Sequence, residues 1–165
     1  MSDATQTSQS SRQQRIVKKA IAKGSFCTLA TASAANRPHS AGVVYAEADG
    51  DLYVSTMESS IKARNIAANP RVAITIPVRR LPIGPPSTVQ FQGTAEIIPS
   101  NDPRLAALIE QGKLKNVTSH GEVELAGGCF IKITPAKRIA THGLNVSLLS
   151  FIREPFAAGR IVEFS

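Results

Sequence analysis

Residues 54–76, VSTMESSIKARNIAANPRVAITI, hold the segment on which the reading of the whole chain turns. Val54, Ser55 and Thr56 close a β-rich run. From Met57 the spacing becomes helical, with Ile61, Ile66 and Ala67 apolar, until Pro70 ends the helix. RVAITI then returns to the β-branched composition of a strand. The hydroxyls of Ser55, Thr56, Ser59 and Ser60 and the ammonium of Lys62 converge on the strand-to-helix turn between them. A turn of this kind can cradle a phosphate, because the first N–H groups of a helix point outward and its dipole favours negative charge. With Ser59 as N-cap, Lys62 falls in the first helical turn, where Asp or Glu is ordinarily preferred, so a cation there points to a bound anion. An exposed lysine at that place costs only about 0.3–1 kcal/mol, which leaves a solvated Lys62 open on energy alone.

Working outward, residues 1–11 are rich in Ser, Thr and Gln and have little to bury, so a mobile tail is expected, with a single domain over residues 12–165. Ile16, Val17, Ala20 and Ile21 recur at helical spacing before Gly24 and predict an amphipathic helix. SFCTLATAS, PHSAGVVYAEA and DLYVST are strands, the last two joined through Asp49-Gly50, a strong hairpin signal because both residues tolerate positive φ. RVAITIPV and STVQFQGTAEII follow, separated by RRLPIGPP, whose prolines exclude regular structure and suggest an exposed loop or lid. Residues 102–111 predict a helix with Pro103 in its first turn. CFIKITP and AKRIATH read as a final strand pair, and GRIVEF closes the chain. Six or seven strands with three short helices and hairpin spacing argue for a mainly β protein of the α+β kind, a closed or nearly closed antiparallel barrel.

Composition narrows the function. The net charge is +7, but Arg12, Arg15, Lys18, Lys19 and Lys23 against Asp3 place +4 of it in the first 23 residues. With 5% aromatics and no Trp, the body has neither the basic stripe nor the stacking platforms of a nucleic-acid binder, and a small anionic ligand suits it better. No apolar run approaches the roughly 20 residues that span a bilayer, and the polar N-terminus does not read as a signal, so a cytoplasmic protein is expected. Cys27 and Cys129 lie far apart in apolar stretches and read as buried thiols. The three histidines share no metal spacing.

The segment VSTMESSIKARNIAANPRVAITI resembles the strand, phosphate loop, helix and next strand of the pyridoxamine 5′-phosphate oxidase-like split barrels, and the likeness extends more loosely from about Gly24 to Thr141. The resemblance implies a six-stranded antiparallel split β-barrel that dimerises barrel against barrel, with FMN, or in one branch the deazaflavin F420, in the seam. Carried over by position, Ser55 and Thr56 would contact the phosphate or ribityl chain, and Ser60 and Lys62 would hold the phosphate. The true oxidases have Arg where Ile61 stands, and their Arg-rich C-terminal signature is missing, Arg160 alone occupying a comparable region; vitamin B6 oxidation is therefore not expected. Thr88, Gln90 and Gln92 alternate with Val89 and Phe91, so Gln90 is a candidate to hydrogen-bond the cofactor, with a solvent-facing polar edge as the alternative. His39 is a candidate to approach the flavin ring, and Arg79 and Arg80 to meet a second anionic feature such as the F420 tail or a substrate carboxylate.

A flavin brings its own hydride chemistry, which accounts for a chain with no catalytic triad. The expected activity is FMN-dependent hydride transfer to or from a small substrate, with an F420-dependent reductase as the nearest alternative and a non-catalytic flavin or haem binder as a third.

Overall fold

The computed structural model describes residues 2–79 and 87–164, and within them the apolar alternation of the sequence appears as one antiparallel sheet. In chain order the elements are helix α1 (Ser2–Lys23), strands β1 (Phe26–Ala32), β2 (Pro38–Val44), β3 (Ala46–Ala48) and β4 (Asp51–Met57), helix α2 (Ile61–Ala68), strands β5 (Arg71–Val78) and β6 (Ser87–Pro99), helix α3 (Pro103–Glu110), strand β7 (Gly128–His142), helix α4 (Leu148–Arg153) and strand β8 (Gly159–Glu163). Short 3-10 turns lie at Lys115–Val117, Glu122–Glu124 and Pro155–Ala158.

The sheet runs β2-β1-β5-β6-β7-β4-β3, with β8 added to β7. The two ends of this path, β2 and β3, are neighbours in the chain, separated only by Tyr45. The strand therefore leaves β1 at Val44 and joins β4 at Ala46, which curls the sheet toward closure and leaves fewer open edges. Tyr45 is fully buried at the corner; its N–H donates to the Ser25 carbonyl at 2.8 Å and its hydroxyl to the Ile21 carbonyl at 2.7 Å. The expected six strands become eight because one run is broken at this corner and the C-terminal GRIVE adds a strand. Asp49 and Gly50 turn β3 into β4 with φ of 55° and 93°, the conformation their sequence predicts.

CFIKITP and AKRIATH are one continuous strand rather than a pair. Pro135 suggested a break, yet it sits where β7 has lost β4, whose pairing ends at Ile133, and has not gained β8, whose pairing begins at Arg138. A missing N–H costs no ladder bond there. Opposite it, β6 carries a register shift between Phe91 and Gly93, and a Cβ on Gly93 would lie 2.5 Å from the Thr134 carbonyl oxygen.

Residues 2–11 of the expected tail form the first turns of α1. Once Val17 and Ile21 anchor the helix in the core, each further residue adds one hydrogen bond without a new nucleus. That core fills the barrel with Cys27, Leu29, Val54, Ile74, Ile76, Val89, Ile131 and Ile133. A second cluster outside it packs α3 and the Lys115–Val117 turn onto Ala46, Ala48, Tyr53, Ile98 and Phe130. Residues 80–86, most of the proline-rich loop and with it Arg80, lie outside the described residues.

Candidate functional site

Ser60, not Ser59, is the N-cap of α2. Its φ of −67° and ψ of 151° are extended, and its Oγ accepts from the Ala63 N–H at 3.3 Å while its carbonyl accepts from Arg64 N–H at 3.1 Å. The sequence placed the cap one residue early because two serines adjoin; Ser60 N–H bonds the Met57 carbonyl at 3.0 Å, making 57–60 the turn itself. Of the four N–H groups a helix leaves without an intrahelical partner at its start, that of Ser60 bonds the Met57 carbonyl and that of Ala63 the Ser60 hydroxyl, and those of Ile61 and Lys62 are left.

The Thr56 hydroxyl donates to Ser60 Oγ at 3.2 Å. Ser60 Oγ then accepts two hydrogen bonds, and its own proton remains for a ligand. Thr56 is in the converse state: with its proton spent, it offers only lone pairs. Lys62, half-buried at the second helical position, has no ion pair among the described residues, and the first turn of α2 contains no acid. Ser55 is half-buried beside Phe130 on β7, and strand alternation turns it to the side of the sheet opposite Thr56. Glu58 is exposed and tied through its N–H to the Gly127 carbonyl at 3.0 Å.

Beneath this turn Cys129 pairs with Thr56 across the sheet. Burial raises its thiol pKa, Glu58 adds to the rise and Lys62 opposes it. Burial pushes the Cys27 thiol up to about 12. Both are free and buried, as expected from their apolar surroundings, and both stay protonated, which gives neither the character of a nucleophile.

Gln90 lies elsewhere. It is on the outer face of the sheet with Thr88 and Gln92, while Val89 and Phe91 are buried, and it donates to Thr88 Oγ1 at 3.0 Å. Register pairing sets it in a cross-strand row, Gly42, Thr28, Thr75, Gln90, Ala140 and Ile161, none of them buried. Thr56 pairs with Cys129 and Cys129 with Pro99, so the phosphate-type turn and Gln90 are roughly 30 Å of strand apart on β6. The described chain therefore keeps them in two places.

His39 shares the core-facing side of β2 with Ala41 and Val43, opposite the outer row. It pairs with Thr31, whose hydroxyl accepts from Asn65 Nδ2 of α2 at 3.0 Å, and its Nδ1 is buried with no partner. This polar corner under α2 was not anticipated; Asn65 in a helix of alanines was the only hint of it. Arg79 is exposed on a cleft of about 510 Å³ with Lys19 and Lys23. His120 is exposed, and His142 packs edge-on to Phe151 with centroids 5.2 Å apart. Arg160 is exposed on β8. Among the described residues no three His, Cys, Asp or Glu side chains gather as metal ligands, and no helix is long and apolar enough to cross a membrane.

Residues 14–141 match the sequence profile of the family described as pyridoxamine 5′-phosphate oxidase, and the chain belongs to that family. Solved structures agree on the fold. The general stress protein 26 of Bacillus anthracis is 26% identical with a TM-score of 0.58, over 78% of this chain and 92% of that one. The haem storage protein HutZ of Vibrio cholerae is 16% identical with a TM-score of 0.65, over 81% and 94%. A protein described as an F420 reductase is 20% identical with a TM-score of 0.51, over 72% and 92%. Among curated proteins none matches. A protein of Mesorhizobium loti described as FAD-binding is 20% identical with a TM-score of 0.58, over 76% and 90%, so the split barrel is shared by neighbours described as FAD-binding, F420-reducing and haem-storing.

Proposed function

We propose that the chain is an FMN-dependent oxidoreductase that binds its cofactor between two copies of itself in the cytoplasm. The observation that carries the reading is Lys62: an unpaired cation in the first turn of α2, beside a Ser60 hydroxyl whose proton is free and two N–H groups that the cap does not use. These donors suit a phosphate dianion, and they suit it better than any neutral group. Ile61 is half-exposed and apolar where the true oxidases have Arg, so the phosphate grip rests on Ser60, Lys62 and the backbone, and vitamin B6 oxidation is not part of the proposal.

Thr56, able only to accept, suits a ribityl hydroxyl rather than a phosphate oxygen, and Ser55 borders the same end of β4. Gln90 stands too far along β6 to join them from the same chain, and a second copy laid on the outer face supplies it. The bound flavin supplies hydride exchange with a small conjugated or aromatic substrate. The chain's own part is to hold the phosphate, orient the ring against the sheet and keep water from it. Two unpaired buried thiols support a reducing compartment.

Titrating the apo-protein with FMN, F420 and haem tests the reading. Saturable FMN binding tighter than F420 binding, followed by reduction of the bound flavin by a chemical or nicotinamide donor, is the expected result. Preference for F420 would move the activity to the deazaflavin branch, and a Soret band with no flavin uptake would make the protein a haem binder.

A further inference from the structure

Residues 134–137 of β7 lie between Ile133, the last residue paired with β4, and Arg138, the first paired with β8. The two strands part from β7 on this side, and the slot between them opens into a cleft of about 550 Å³. The β3–β4 hairpin forms one wall and α1 the other, and α1 is pinned there by Gln14, whose Nε2 donates to the Glu163 carbonyl at 2.7 Å. Ile21, Ala22, Pro135, Ala136, Ile139 and Phe164 give the cleft an apolar lining, and Ile21 and Ile139 also belong to the barrel core. The cleft meets β4 at Asp51, whereas the turn of Ser60 and Lys62 follows Met57 at the other end of the strand, roughly 20 Å away. An apolar hollow of this size with a few polar groups at its mouth is the usual form of a small-molecule site.

The charges at the mouth are divided by element. The hairpin brings Glu47, Asp49 and Asp51, while α1 and β7 bring Lys18, Lys19 and Lys137. The acids are engaged within the chain. Asp51 takes Lys132 at 3.3 Å and the Thr134 hydroxyl at 2.7 Å, and Asp49 takes Lys113 at 2.7 Å. Glu47 accepts from the Gly50 N–H at 2.8 Å and keeps its charge. Lys18, Lys19 and Lys137 are exposed and have no ion pair among the described residues. Lys18 Nζ stands 5.7 Å from the centre of the Phe164 ring, over the apolar lining itself. With Asp49 and Asp51 balanced by Lys113 and Lys132, the mouth is left with three ammoniums against the single carboxylate of Glu47. An apolar hollow rimmed in this way selects an amphipathic anion, because burial favours the body and a charge-assisted hydrogen bond favours the head. We propose that this cleft is a ligand site separate from the phosphate-type turn, taking an anion with an aliphatic body and one acidic head, the head held by Lys18 and Lys137.

Calorimetric titration of the full chain with decanoate, decyl phosphate and decyltrimethylammonium tests it. The anions are expected to bind saturably, the tighter of the two identifying the head group, and the cation with the same aliphatic chain to bind at least about tenfold more weakly. Lys18→Glu and Lys137→Glu are each expected to weaken the anions about fivefold or more. Ala22→Trp, which fills the cleft and leaves its charges alone, is expected to abolish binding. All three positions are exposed, so circular dichroism of each variant should match wild type. Excess FMN is expected not to displace decanoate. The proposal is overturned by an absence of saturable anion binding, by equal binding of the cation, or by indifference to Ala22→Trp or to both lysine variants. Displacement by FMN would overturn it as well, since both ligands would then share one site. A chain that binds decanoate in this manner and takes up no FMN keeps the cleft and loses the cofactor reading.

Discussion

Replacing Lys62 with alanine separates a ligand-binding lysine from a decorative one, because the two roles predict opposite signs. In the free protein Lys62 stands at the positive end of α2 with no acid in its own turn and no ion pair among the described residues, so its removal should leave stability unchanged or raise it by about 0.3–1 kcal/mol. In the complex it would be one of four donors to the phosphate, and losing a charge-assisted hydrogen bond of about 1.5–3 kcal/mol weakens FMN by about tenfold or more. Thermal unfolding of the apo-protein and fluorescence titration with FMN measure the two quantities on one preparation. Lys62→Ala should bind FMN at least about tenfold more weakly while melting no earlier than wild type. Wild-type affinity would refute the assignment of Lys62 to the phosphate, and early melting would show that the lysine serves the fold.

Other consequences follow from single contacts. Gly93→Ala drives a Cβ to within 2.5 Å of the Thr134 carbonyl and should cost about 1–3 kcal/mol in urea unfolding, whereas Gly159→Ala, with nothing within 4 Å, should be near neutral. Tyr45→Phe should cost about 0.5–1.5 kcal/mol and no more, because the Ile21 carbonyl keeps the Gly24 N–H at 3.1 Å when the hydroxyl is gone. The buried Cys27 thiol should make the protein alkali-sensitive. Its folded pKa is raised to about 12 from 9.0, so above pH 9 the unfolded chain loses the proton first and stability falls as pH rises toward 12. The Cys27 contribution to that slope cannot exceed about 1.4 kcal/mol per pH unit, and Cys27→Val should remove it between pH 9 and 10.

What the sequence made legible was local. The β4, α2 and β5 segment announces itself because each boundary has a chemical marker within a few residues: serines at the cap, Pro70 at the stop, β-branched runs on either side. Asp49-Gly50 marks its hairpin in the same way. Where tertiary context decides, the local signal misleads. Pro135 resembles a strand break until β7 is seen to lack a second neighbour at that residue, and residues 2–11 resemble a tail until α1 is anchored by Val17 and Ile21. The candidate site divides along the same line. Thr56 and Ser60 lie four residues apart and meet in a hydrogen bond, and Lys62 follows in the first turn of α2. Gln90 was added to them on strand alternation and His39 on its place beside Pro38, and strand register sets Gln90 on the outer face, far from the turn, and His39 toward the core.

The most direct measurement is the absorption spectrum of the protein as purified, with the chromophore then released by heat and identified by mass. An FMN enzyme should show the paired visible and near-ultraviolet bands of an oxidised flavin and release FMN at close to one per chain. A colourless protein that fails to acquire those bands on incubation with FMN would contradict the account, whatever else it binds.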